Sequence, residues 1–314
     1  MSRPPLPPPR ALIIAAFAAV YVIWGSTYLF IRIAVDALPP FLMAGVRYGT
    51  AGAVLYGLAR ARGAPTGTRR EWRAATVVGG LLLVGGNGLL SWAEQYVPTG
   101  LASLLIATVP LWMMLERWGL EGVRPDGLSL LGLVFGFVGL AFLVLPTLTG
   151  AGAAHGLGVA VVLLGAVSWA TGSVLSRRLP LPADALLATG MEMLSGGVLQ
   201  VAVGLLAGEA VRLQPSSFTP AAVGAVLYLI VFGSLIGFTA YVWLLGVASP
   251  AAVSTYAFVN PVVAMLLGAV FLRETITARM LVASAVTLVG VGCITVSSSS
   301  RLDRTVRQTV EVAE

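Results

Sequence analysis

Ten stretches of apolar sequence follow one another along this chain, roughly over 11–35, 40–59, 74–95, 98–118, 127–146, 154–175, 184–207, 220–246, 250–272 and 277–297. Each is about as long as the ~20 helical residues that cross a bilayer core. Ten such helices take up ~200 of the 314 positions and leave ~110 for nine loops and two tails. Composition agrees: 58% of residues are hydrophobic and only 10% charged, against a usual ~25% charged in soluble domains. A soluble domain of this kind would expose large apolar patches and aggregate. An ordinary soluble enzyme, a disordered chain and a nucleic-acid binder are thereby excluded. The fold class expected is an all-α polytopic membrane protein with the lipid bilayer as its solvent. Most breaks between spans carry prolines: Pro39-Pro40, Pro98, Pro125, Pro146, Pro180 with Pro182, Pro220 and Pro250. The start, Pro4 to Pro9, cannot be helical and reads as an extended leader over 1–10. Residues 11–20 could pass for a signal-peptide core, but nine further spans and no clear cleavage context favour an uncleaved first helix.

The arginines orient the chain. All 19 basic residues are arginine. With the N-terminus in the cytoplasm, that side holds 14 of them: Arg3, Arg10, Arg60, Arg62, Arg69, Arg70, Arg73, Arg117, Arg124, Arg177, Arg178, Arg301, Arg304 and Arg307. The opposite side holds Arg212, Arg273 and Arg279, while Arg32 and Arg47 lie inside spans. This asymmetry puts both termini in the cytoplasm, as an even span count requires. The net charge of +6 therefore reports topology and not a polyanion partner. An Ala-, Gly- and Arg-rich chain without lysine also fits a GC-rich bacterial genome, hence a bacterial inner membrane. Cys293 is the only cysteine and His155 the only histidine. An internal disulfide, a cysteine-built metal site and a His-Glu zinc motif are excluded, and no cofactor or metal is expected.

The two halves repeat. Val22-Ile23-Trp24-Gly25-Ser26-Thr27 parallels Val167-Ser168-Trp169-Ala170-Thr171-Gly172. Val97-Pro98-Thr99-Gly100-Leu101-Ala102-Ser103 parallels Ser249-Pro250-Ala251-Ala252-Val253-Ser254. Pro110 matches Pro261, and Glu121 matches Glu274. The spacing makes each repeat five spans, 11–146 and 154–297, followed by a cytoplasmic tail over 298–314. A repeat of odd length enters the bilayer in opposite directions, which gives two inverted repeats of the kind typical of secondary transporters.

These residues resemble a known family. Trp24-Gly25-Ser26-Thr27-Tyr28, Arg47, the stretch Ala93 to Ser103, and Pro110 with Glu121 look like one EamA repeat. The second half, with Asn260-Pro261 and Glu274, looks like another. The resemblance covers nearly the whole chain and points to the drug/metabolite transporter superfamily. It implies ten-span exporters of amino acids and other metabolites, with a central cavity lined by spans one, three, four, six, eight and nine. Spans five and ten would be peripheral. YddG-type relatives export aromatic and other neutral amino acids. Trp169-Ala170-Thr171 departs from the Trp-Gly-Ser form of the first half, so the two sides need not bind alike.

Four groups of residues are candidates for the transport machinery. Pro110 and Pro261 each remove a backbone donor and suggest a bend in equivalent spans, a hinge or a static kink. Trp24, Thr27 and Tyr28 in span one join several stripes at helical spacing: Asn87 with Ser91, Ser103 with Ala107, Trp169 with Ser173, Ser234 with Phe238 and Tyr241, and Ser254 with Phe258. Such a set supplies an apolar pocket with a few polar fixing groups for a small-molecule substrate. The competing reading is helix glue and interfacial anchoring. Arg47 and Glu192 lie ~10 and ~12 Å deep, on opposite sides of the midplane, at 1.5 Å per residue. Arg47 is expected to snorkel or to bond free carbonyls. Glu192 is the proton-carrier candidate, and Glu94, near the end of span three, is expected to be solvated. Finally, Gly79, Gly80, Gly85, Gly86 and Gly88 let span three approach its neighbours. Gly132 and Gly136 form a GxxxG that offers a face for pairing subunits, so a homodimer through spans five and ten is the alternative to a monomer.

Three function classes compete. The leading one is a secondary transporter exporting small metabolites, amino acids above all. A broad drug/metabolite exporter is the alternative within that class. No GxxxxGK[ST] loop supplies a nucleotide motor. An intramembrane enzyme would need a placed base, nucleophile or metal. A channel would need a filter of charges or carbonyls about an axis.

Overall fold

The computed structural model describes residues 9–122, 124–149, 153–248, 253 and 255–313. Helices dominate, and their ends are set by local chemistry. We number the helical rods in chain order. α1 is Arg10–Val35, and α2 is Pro40–Ala61 with proline in its first turn, where its missing N–H costs nothing. α3 begins at Arg69 behind a capping box: Thr68 Oγ1 accepts from Glu71 N at 3.2 Å, and Glu71 Oε2 accepts from Thr68 N at 2.6 Å. It continues as a π-helical stretch, Gly80–Gly88, and ends as Leu89–Ala93. α4 is broken into Thr99–Ile106 and Val109–Glu121. α5 is Gly127–Thr149 and α6 is Ala153–Ser176. α7, Ala185–Leu206, starts on Asp184, which accepts from Leu187 N. α8 runs from Pro220 through Pro220–Tyr228, a second π-helical stretch Leu229–Ile236, and Gly237–Val247. α9 is Tyr256–Leu272 and α10 is Ala278–Ala313. α10 carries on as helix beyond the expected end near 297. The leader, Pro250 and Ser254 lie largely or wholly outside the described residues.

Eight of these rods are long and apolar enough to cross a membrane. α9 is apolar but shorter, and α2, which carries Arg47, is not among the eight. The outward face of α5 is a run of exposed apolar side chains, with Leu131, Val134, Val138 and Phe142 among them. In water such a face would be a liability; in lipid it costs nothing.

Packing partners come in matched pairs. α2 lies along α7, and α5 along α10. α1 packs on α9 and α8, while α6, its counterpart in the second half, packs on α4 and α3. Exchanging each helix of one half for its counterpart in the other leaves this map unchanged. The irregularities match as well: the two π stretches fall in α3 and α8, and left-handed caps follow α4 at Gly122 (φ 67°) and α9 at Arg273 (φ 56°).

Glycines set how closely the self-paired helices approach. A Cβ on Gly197 would lie 2.4 Å from Gly49 N in the α2–α7 pair. A Cβ on Gly290 would lie 2.4 Å from Gly136 N and 2.6 Å from Gly132 O in the α5–α10 pair. The GxxxG of α5 is thus consumed within the chain. Its glycines face α10 and Leu111, because two helices with no side chain at the contact can bring their backbones together and gain dispersion along their length. The two prolines are also built differently. Pro110 sits in the first turn of the second half of α4, just past the break at Ala107-Thr108, whereas Pro261 lies inside an unbroken α9. The bends expected to be equivalent are a helix break in one repeat and an absorbed proline in the other.

Candidate functional site

The irregular part of α8 gathers three first-half candidates, Trp24, Thr27 and Arg47. Trp24 on α1 donates its Nε1–H to the carbonyl of Gly233, at 3.2 Å, inside the π-helical stretch. A Cβ on Gly233 would lie 3.1 Å from Thr27 Cγ2 and 3.2 Å from Arg47 Nη2. Glycine here leaves α1, α2 and α8 room to meet closely; a larger residue would push the Thr27 and Arg47 side chains aside by a few tenths of an ångström. Arg47 is buried, 5% exposed, and donates Nε–H to the Ser234 hydroxyl at 3.0 Å. Its guanidinium lies 4.5 Å from the Tyr48 ring centroid. Arg47 therefore neither snorkels nor bonds the free carbonyls expected of it, since a neighbouring hydroxyl and an aromatic face satisfy it inside the bundle.

An aromatic group adjoins this polar pair. The Trp24 ring stands 5.0 Å from Tyr241, 6.1 Å from Phe238 and 5.1 Å, edge-on, from Tyr256. Tyr241 and Tyr256 meet at 90°. The rings are half-buried. Tyr256 was not among the sequence candidates. It sits two residues before Phe258, and residues two apart on an α-helix point to nearly opposite faces. Phe258 accordingly leaves this group and packs with Leu111, Met114 and Ile294. Ser254, its expected partner, lies outside the described residues.

The counterpart region around α3 is built from different chemistry. Ser168 on α6 donates to the carbonyl of Leu81, and Gln200 on α7 to that of Leu83, both inside the π-helical stretch. Trp169 lies over Gly86, where a Cβ would fall 2.7 Å from its ring. Each repeat thus sets a tryptophan beside the π-helical stretch packed against it, with side chains satisfying carbonyls there. Asn87 is half-buried in the α3 stretch and Ser91 is buried beyond it. Thr171 donates to Glu116 Oε1 at 2.8 Å, linking α6 to α4. Glu116 and Gln200 escaped the sequence reading: the first sits among bulky apolar residues near the end of a span, the second is a lone amide in a glycine-rich helix.

The remaining candidates do other things. Ser103 Oγ donates back to Gly100 O, and Ser173 Oγ to Trp169 O, each within its own helix. Ala107 is buried at the α4 break, and Tyr28 is buried in the main apolar core. Glu192 is half-buried, with its backbone carbonyl 2.4 Å from where a Gly79 Cβ would be. Glu94 is not solvated: it is 0% exposed, closed in by neighbouring elements that its local sequence does not foreshadow. Two clefts open at the end of the bundle where α1 finishes. One, about 360 Å³, is lined by Arg32, Asp36, Gln95 and Glu274 among others. The second, about 450 Å³, includes His155, Arg273 and Arg279. Glu274 also caps α4, accepting from Thr99 N and Oγ1, each at 2.8 Å, and from Gly100 N at 3.2 Å. No group of three or more potential metal ligands occurs among the described residues.

Comparison with known proteins decides the family. The model of the EamA-like transporter family matches residues 11–145 and again 156–296. The chain belongs to the EamA-like transporter family. The two matches are the two halves whose helices pack in matched pairs. An uncharacterized inner membrane transporter of Escherichia coli K12, YedA, is 40% identical over 263 residues, covering 83% of each chain. The uncharacterized transporter YvbV of Bacillus subtilis is 26% identical and covers 88% of each. A WAT1-related chloroplastic protein of Arabidopsis thaliana is 28% identical over 86% of this chain and 66% of its own. One solved crystal structure superposes with a TM-score of 0.61, at 23% identity, over 91% of this chain and 98% of that one, and so shares the fold. The chain is a multi-pass membrane protein of a transporter family.

Proposed function

We propose that this EamA-family chain is a secondary transporter that exports small metabolites across a bacterial inner membrane, with aromatic and neutral amino acids as its first substrate class. Ten spans form two inverted repeats, both termini are cytoplasmic, and the halves open alternately. The observation that carries the substrate reading is the aromatic group of Trp24, Phe238, Tyr241 and Tyr256 beside the Arg47–Ser234 pair. Aromatic rings offer a wall for an apolar or aromatic side chain. A buried guanidinium with a hydroxyl at hand suits a carboxylate. On the opposite side, Asn87 with Trp169 offers a more polar surface, while Thr171, two residues on, turns to Glu116 on α4, in keeping with the departure of Trp169-Ala170-Thr171 from the first-half motif. The break next to Pro110 and the proline inside α9 provide places to bend, and Glu192 is a coupling candidate. The matched packing of the halves supports the two-repeat reading, and YedA's name supports the membrane. The functional unit is a monomer.

The test is counterflow in proteoliposomes against labelled amino acids, sugars and cationic drugs. Saturable, exchangeable uptake of phenylalanine or leucine is expected, with a tenfold or greater rise in half-saturation for Trp24→Ala. Losing several ring contacts of ~0.5–1.5 kcal/mol each accounts for a change of that order. Counterflow of sugars or drugs with none of amino acids would move the chain to the broader exporter class. Linear, unsaturable conductance would make it a channel.

A further inference from the structure

A carboxyl group is sealed without a partner at the end of the bundle where α1 finishes. Glu94 directly follows Ala93, the last residue of α3, and is 0% exposed. Neither of its carboxyl oxygens meets a hydrogen-bond donor among the described residues. Its neighbours in the chain are buried with it. Ala93 and Val97 are themselves fully buried and carry the segment into the main core with Ala34, Leu101 and Leu105.

Cations lie close, yet the fold engages them elsewhere. Arg32 donates Nη1–H to the backbone carbonyl of Glu94 and pairs Nε with Asp36 Oδ1 at 3.2 Å. Arg47 is held by Ser234 and Tyr48. Glu274 is engaged at the N-terminus of α4. The groups acting on Glu94 are thus Tyr28, Arg32 and Asp36 from α1, Arg47 from α2 and Glu274 from the segment after α9. An ionised carboxylate without donors in a dry interior is costly, and the neutral acid avoids most of that cost. The group therefore holds a proton in this conformation. Beside it lies the cleft of about 360 Å³ lined by Arg32, Asp36 and Gln95.

Resting on the transporter reading above, we propose that Glu94 is the proton-binding site of this carrier, a neutral acid while this end is closed and a proton donor to the Arg32–Asp36 cleft when it opens. On opening, the carboxyl O–H bond breaks and the proton passes to cleft water. The carboxylate left behind has Arg32 as its available counter-charge. When the opposite end opens in turn, the carboxylate takes a proton from the water of that compartment before it is sealed again, so each cycle carries one proton across the membrane. The transport cycle is thereby coupled to a proton gradient through Glu94.

Two measurements test this on the full chain in lipid. Infrared difference spectra between acidic and alkaline buffer read the carbonyl stretch of a protonated carboxyl with no substrate present. Wild type is expected to show a band that titrates above the range of free carboxylates and is missing in Glu94→Gln. An identical band in that variant overturns the proposal. In proteoliposomes with labelled phenylalanine, the ratio of pH-driven accumulation to counterflow at equal pH should fall in Glu94→Gln to that of a passive exchanger, with Glu94→Asp retaining part of it. A wild-type ratio in Glu94→Gln overturns the proposal too. Should wild type carry no phenylalanine, the substrate reading fails, and the infrared band still decides whether Glu94 holds the proton.

Discussion

A proton retained by Glu94 in the folded chain leaves a thermodynamic trace that needs no transport assay. In the unfolded chain a glutamate ionises near pH ~4.3. The folded chain keeps its proton to higher pH because its buried carboxyl has no donor. Between those points the folded state binds more protons, so stability falls as pH rises. The contribution is fully present below pH ~4.3 and declines, by at most ~1.4 kcal/mol per pH unit, until Glu94 itself ionises. Glu94→Gln removes that slope. Thermal midpoints in detergent, followed upward from about pH 5, just above the ionisation of the unfolded glutamate, should fall more steeply for wild type than for the variant. Parallel curves would mean that Glu94 is ionised in the folded chain. The residues Trp92-Ala93-Glu94-Gln95-Tyr96 do not disclose this. The end of a span predicts solvation, and only the closure of α1, α4 and α6 around the segment makes it dry. The aromatic group was more legible, because Trp24, Phe238 and Tyr241 follow helical spacing. Tyr256 is hidden from helical spacing because a stripe through Phe258 selects the other side of α9.

At the level of elements, apolar length gave most helix limits closely, because a stretch that must satisfy its own backbone in lipid has little choice but helix. The π-helical stretches were not legible. Asn87 and Ser91 share a face only if α spacing holds, and it does not through Gly80–Gly88. Nothing in Gly80-Leu81-Leu82-Leu83-Val84-Gly85-Gly86-Asn87-Gly88 announces the wider turn. Its carbonyls are met by Ser168 and Gln200, which lie far away in sequence. The GxxxG of α5 was legible as a contact face but not as to its partner, since small residues specify close approach and not which helix approaches. That partner gives a direct prediction. Gly290→Leu places side-chain atoms where the backbones of Gly132 and Gly136 lie, and should destabilise the folded chain by ~1–3 kcal/mol or more. Gly49→Ala meets nothing within 4 Å and should be neutral. Thermal unfolding of the two variants in one detergent checks the pair, and equal midpoints would mean that α5 and α10 do not pack this way.

At the scale of the whole molecule, the matched packing of the halves is a statement about symmetry, and the direction of each half in the membrane is what makes alternating access physically available. If the repeats are related by a twofold axis lying in the membrane plane, any loop in the first half must face the opposite compartment from its counterpart in the second. The loop between α2 and α3 corresponds to that between α7 and α8. Thr66 in the first and Ser216 in the second are both exposed, so a cysteine at either position should be reachable from its own side. The native thiol is easily removed, because Cys293 lies against Gly132 on the α5–α10 face and Cys293→Ala deletes only a sulfur there. In that background a membrane-impermeant maleimide added to intact cells should label Ser216→Cys and spare Thr66→Cys until the cells are opened. The arginine asymmetry predicts the same sides, since Arg60, Arg62, Arg69 and Arg70 flank Thr66 whereas Arg212 alone is near Ser216. Labelling of both cysteines from one side would make the repeats parallel. The paired tryptophans and π-helical stretches would then be related by an axis along the membrane normal. Such an axis does not exchange inward-open with outward-open states, so the symmetry of the halves would no longer supply the second state of the cycle.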